Sequence, residues 1–145
     1  MGQTNVTELM GGNQVLGKAA PSPLELADLI AAGLPRETAE QIRAHLQLTE
    51  QELAACLGVS TKTLQRLAKQ PKARLSPAQG DRLYRLARLV ALAEQVFEDP
   101  GRAHAWLRTP QRGLSYRIPI EVMRTEVGAR EVENLLGRIE YGVLS

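Results

Sequence analysis

A chain of 145 residues, 43% hydrophobic but only 3% aromatic, can fill one ordinary domain or two small ones, with Leu, Val, Ile and Ala making the core. No apolar run approaches the roughly 18 residues that cross a bilayer. Residues 1–17 lack the basic and apolar stretches of a secretory signal, and the single Cys56 excludes an internal disulfide, so the expectation is a cytoplasmic protein with no membrane partner. The net charge of +2 is unevenly placed: residues 60–90 hold eight Lys/Arg against one acid, whereas residues 1–59 hold three against seven. A block that dense is either a footprint for a polyanion or a merely solvated basic face.

Residues 1–20, rich in Gly, Asn, Gln and Thr, show no sustained periodicity and are expected to be a mobile tail. Ser22 and Pro23 then open a first helix that runs through Leu26 and Ile30 and stops at Gly33. Pro35 opens a second, over Arg36 to Leu46, and residues 70–75 form a polar connection after the segment 48–69. Ser76-Pro77 starts a long helix to about Glu98, with Leu83, Leu86, Ala87, Val90, Ala93 and Phe97 on one apolar face. Arg82, Arg85 and Arg88 point away from that stripe, toward phosphates or solvent. Leu89, Leu92 and Val96 make the second half of the helix apolar nearly all round, so either the C-terminal region or another subunit must cover it. Asp99-Pro100-Gly101 breaks the pattern before a short helix at 102–108 and a loop at 109–118. Pro119 opens one more turn, and a last helix spans about 126–141, with Val132, Leu135, Leu136, Ile139 and Val143 on one face. No segment alternates like a strand, so the chain is expected to be all-α.

The segment from Thr49 to Leu67 carries the clearest local motif. Thr49 and Glu52 make a capping box, and Ala54 is small where two helices would cross. Gly58 supplies a tight turn, Val59 plugs the gap, Ser60 caps the next helix, and Leu64 and Leu67 hold it in place. Cys56, among Leu53, Ala54 and Leu57, reads as a buried small hydrophobe rather than a nucleophile. This order resembles the helix-turn-helix of Xre and repressor-like proteins. Its second helix would expose Thr61, Lys62, Gln65, Arg66 and Lys69 to operator DNA, with Gln65 and Arg66 the readers of base edges. A reader of this size works as a homodimer on paired half-sites.

Such a unit is complete by about residue 98, which divides the chain into a tail (1–20), a helix-turn-helix domain (21–98) and a C-terminal domain (99–145). The stretches Pro119-Ile120-Glu121-Val122-Met123-Arg124-Thr125-Glu126-Val127-Gly128-Ala129 and Leu135-Leu136-Gly137-Arg138-Ile139-Glu140-Tyr141-Gly142-Val143 resemble the toxin-binding domain of Xre/MbcA/ParS antitoxins. That resemblance implies an Xre-like bundle joined by the long helix to a small helical toxin-binding domain. It also implies a RES-domain toxin that consumes or uses NAD, whose active site the C-terminal region blocks, and an operon repressed by the complex. Arg138, Glu140, Tyr141, Val143, Leu144 and Ser145 are the expected toxin contacts. The residues themselves leave two readings of this end open, partner docking or completion of the chain's own core. A stand-alone regulator with a C-terminal dimerisation domain is the competing function.

Catalytic chemistry is not expected. His45 and His104 are far apart in sequence with no ligand-spaced partners, no nucleophilic triad or phosphate-binding loop is present, and neither metal nor cofactor is implied.

Overall fold

The computed structural model describes residues 5–142, and among these the protein is all-α, with ten helices, one 3-10 turn and two isolated β-bridges. It divides into two compact units within the long helix, between Ala87 and Arg88. The sequence places this boundary on or just after the helix, with the first domain ending at residue 98.

The N-terminal unit begins with a correction. Residues 5–17, expected to be mobile, form α1 (Val6–Leu9) and α2 (Gly12–Leu16). Asn5 caps α1 by accepting the Thr7 N–H, and both helices pack on α4, with Leu9, Met10 and Leu16 buried. Burial of those side chains, rather than local propensity, orders helices this short.

α3 (Pro23–Ala32) starts as its sequence predicts. The Ser22 hydroxyl accepts from the Glu25 N–H at 3.2 Å, and the Glu25 carboxylate accepts from the Ser22 N–H at 2.8 Å. Lys18 donates to the same carboxylate. That bond, then the one from Ser22, holds the Glu25 carboxyl below its ordinary range. α4 (Glu37–Leu46) buries Thr38, Ala39, Ile42 and Leu46 and ends at Gln47 in the left-handed region. The connection at 70–75 is pinned rather than loose: Leu75 N–H donates to Leu34 C=O at 2.8 Å and Arg36 N–H to Ala73 C=O at 3.3 Å. α5 (Glu50–Leu57) and α6 (Thr61–Ala68) follow α4, and α7 (Pro77–Phe97) closes this unit with its first half.

In the C-terminal unit Leu89 on the second half of α7 is buried with Val90 and Ala93, whereas Leu92 and Val96 are half-buried, so the cover expected for this apolar stretch is partial. Arg88 Nη1 donates to Glu133 on α10 (Glu126–Glu140) at 2.7 Å, and Gln95 donates to Glu140 at 3.4 Å. Glu98, at φ 56°, ends the long helix, and Asp99 caps α8 (Pro100–Leu107) through the N–H groups of Gly101 and Arg102. Phe97 and Trp106 tilt against each other with ring centroids 5.6 Å apart. The buried Glu94 carboxylate lies 2.6 Å from His104 Nε2. α9 (Pro119–Val122) turns into α10, whose Val132, Leu135 and Leu136 are buried as their spacing predicts. Gly128 is obligatory at that corner, because a Cβ there would lie 1.8 Å from the Val122 carbonyl oxygen.

Candidate functional site

The first candidate surface is built on α5 and α6. Thr49 caps α5 with both bonds of a capping box, and Gly58 ends it at φ 74°. Leu53, Ala54, Leu57 and Leu64 bury the face between the two helices, and the Ser60 hydroxyl accepts the Thr63 N–H at 3.1 Å. The sequence singles out Thr61, Lys62, Gln65, Arg66 and Lys69 on α6 and its cap. Thr61 is half-buried at the first turn, whereas Lys62, Gln65, Arg66 and Lys69 are exposed. No acidic side chain pairs with the cations Lys62, Arg66 and Lys69 among the described residues.

Two residues shape this surface without being visible in the motif. Glu50, in the first turn of α5, accepts a bond from Gln65 Nε2 at 2.8 Å. A carboxylate only accepts, so this contact orients the amide and turns its carbonyl oxygen away from Glu50. Arg82 is the other. Its Nη1 donates to the Leu57 carbonyl at 3.3 Å, and a Cβ on Gly58 would lie 2.8 Å from the same nitrogen. Expected to face phosphates or solvent, Arg82 instead braces the turn. Arg74 similarly donates to the Gly33 carbonyl at 2.8 Å, and Arg88 is paired with Glu133. The basic block therefore has a structural part and an open part, the latter being Lys62, Arg66, Lys69 and Lys72.

The second candidate surface is the end of α10. Arg138 is half-buried, Glu140 is exposed and accepts from Gln95, and Tyr141 is 82% exposed at the helix C-cap. Val143, Leu144 and Ser145, also expected to touch a partner, lie outside the described residues. The C-terminal unit also contains the loop expected at 109–118, with a backbone that the sequence does not mark. Between α8 and α9, the 3-10 turn Arg112–Leu114 is followed by Ser115 and Tyr116, both left-handed, at φ 55° and 63°.

A helix-turn-helix unit followed by a small helical unit that ends on an exposed tyrosine defines a two-part all-α protein. Both units match family models: residues 25–88 the Xre-like helix-turn-helix domain, and residues 92–142 the Xre/MbcA/ParS C-terminal toxin-binding domain. Antitoxin Xre of Yersinia enterocolitica is 31% identical over 90% of this chain and 88% of its own length. Antitoxin Xre of Photorhabdus laumondii is 28% identical over 91% and 89%. Among solved structures, the Mycobacterium tuberculosis MbcT–MbcA toxin–antitoxin complex contains a chain 26% identical to this one. That match has a TM-score of 0.53 and covers 76% of this chain and 96% of that one. The chain belongs to the Xre antitoxin family.

Proposed function

We propose that this chain silences a RES-domain toxin by blocking its active site with the C-terminal region, and represses its own operon through the helix-turn-helix. The toxin would use NAD, and the antitoxin would act in the cytoplasm by binding alone, with no chemistry or cofactor of its own. One observation carries the reading: exposed, unpaired cations on α6 and a C-terminal toxin-binding family domain occur in the same chain. Relatives named as antitoxins, and a structural neighbour that is a toxin–antitoxin complex, support the toxin half of it.

On the DNA side, Lys62 and Lys69 would meet phosphates while Gln65 and Arg66 read base edges, with Thr61 at the helix start. Repression at paired half-sites would require two copies of the chain. On the toxin side, Arg138, Glu140 and Tyr141, with Val143, Leu144 and Ser145 beyond, would form the blocking end.

Two variants separate the halves. Arg66→Ala should weaken binding to the chain's own promoter by about tenfold at fixed salt, as the loss of one base contact does, while neutralisation persists. Deleting residues 141–145 should leave promoter binding intact and release toxicity on co-expression with the neighbouring gene product. Full neutralisation by the shortened chain contradicts the blocking role of the end.

A further inference from the structure

We propose that the loop from Gln111 to Arg117 is a second toxin-contacting surface, separate from the end of α10, presenting Tyr116 with Arg112 and Arg117 to an acidic face of the partner protein. The inference rests on the toxin-binding reading above. Tyr116 is 70% exposed, among the most exposed large hydrophobic side chains. It follows Ser115 in the left-handed region, so two successive residues with a Cβ occupy a conformation that disfavours side chains. Such strain persists only where the surroundings hold it, and it concentrates at working surfaces.

The surroundings here are specific. Gln111 N–H donates to the Arg117 carbonyl at 3.0 Å, and Tyr116 N–H returns to the Gln111 carbonyl at 2.8 Å, closing the loop at its base. The Gln111 side chain donates to the carbonyls of Trp106 and Thr109, each at 3.0 Å, and so ties that base to the end of α8. Leu114 is buried and anchors the turn from within. A rigid loop loses little entropy when it docks.

The residue types name the partner. Arg112 and Arg117 are exposed, and neither guanidinium has a carboxylate or carbonyl partner among the described residues. Tyrosine and arginine are the side chains that most often anchor protein interfaces, and unpaired guanidiniums select carboxylates. The lysine-containing footprint suited to nucleic acid is elsewhere, with Lys62, Lys69 and Lys72 in the other unit. The loop lies inside the segment that matches the toxin-binding domain. Both facts favour a protein face over DNA.

The test uses the full chain and a purified RES-domain protein, the partner named under the proposed function, with affinity followed by titration at low and high salt. Tyr116→Ala should raise Kd by about tenfold or more, as loss of an interface anchor does. Arg112→Ala with Arg117→Ala should weaken binding and flatten its salt dependence. Ser115→Gly with Tyr116→Gly should raise the melting temperature by relieving strain, yet bind the toxin more weakly; a purely structural loop would bind as before. Undiminished affinity of Tyr116→Ala, beside a wild type that binds, overturns the loop assignment alone. Promoter binding that falls while toxin affinity holds overturns it too and assigns the loop to nucleic acid. A wild type that does not bind the toxin overturns the toxin-binding reading and this one together.

Discussion

Arginines of one charge do different jobs according to the carbonyl or carboxylate that each finds. Arg74 and Arg82 are tied to backbone carbonyls of Gly33 and Leu57, and Arg88 to Glu133, so three members of the basic block hold the protein together. The sequence shows the density of the block but not this division, because the partners lie 25 to 45 residues away. Arg82→Ala should therefore cost about 1 kcal/mol of stability, the net worth of one hydrogen bond, measured by denaturant unfolding. The salt slope of promoter binding should not change with it, whereas Lys69→Ala should lower that slope by about 1. Caps, in contrast, are legible residue by residue, since Ser22/Glu25 and Thr49/Glu52 are local patterns that the structure forms in full. Glu25 adds a pH dependence. Its carboxyl is held below the ordinary range by Lys18 and Ser22, so it favours the folded state when ionised. That contribution is present above the unfolded-state pKa and disappears as pH falls through the lower folded-state value. Glu25→Gln should remove this acid-side loss from a stability-against-pH profile.

At the scale of helices, periodicity and punctuation were enough for α3 to α10, whose starts lie at Pro23, Pro77, Pro100 and Pro119, after Thr and Ser caps, or, for α4, two residues past Pro35. They failed for α1 and α2. Val6, Leu9, Met10, Val15 and Leu16 are apolar, but Gly11 and Gly12 interrupt them, and helices of four and five residues are too short for a 3.6-residue repeat to register. Tertiary burial on α4 decides their state. Met10→Ala should accordingly destabilise the fold by about 2–5 kcal/mol, the usual range for emptying a core site, where a mobile tail would register nothing. The α9–α10 corner is a second element-scale device. Gly128→Ala forces a Cβ onto the Val122 carbonyl and should cost about 3 kcal/mol, the upper end of the usual range for overpacking, read as lost helicity or a lowered melting temperature. The loop at 111–117 marks the limit of sequence reading, because nothing in Ser-Tyr announces two left-handed residues.

For the molecule as a whole, the division at 87/88 and the family segments 25–88 and 92–142 agree that two units share one continuous helix. The sequence places the boundary on or just after this helix but ends the first domain at residue 98, about ten residues late, because a helix that looks unbroken gives no local sign of which residues belong to which unit. The expected DNA residues lie on the open face of α6 and the expected toxin residues at the far end of the chain, so their functions should separate by mutation. The most direct measurement is co-expression of the chain with a RES-domain toxin, scored by growth and by promoter occupancy in the same cells. Wild type should restore growth and occupy the promoter, Arg66→Ala should restore growth with reduced occupancy, and the chain lacking 141–145 should occupy the promoter without restoring growth. Loss of both readouts together in either variant, with the protein still folded, would contradict two separable surfaces on one antitoxin.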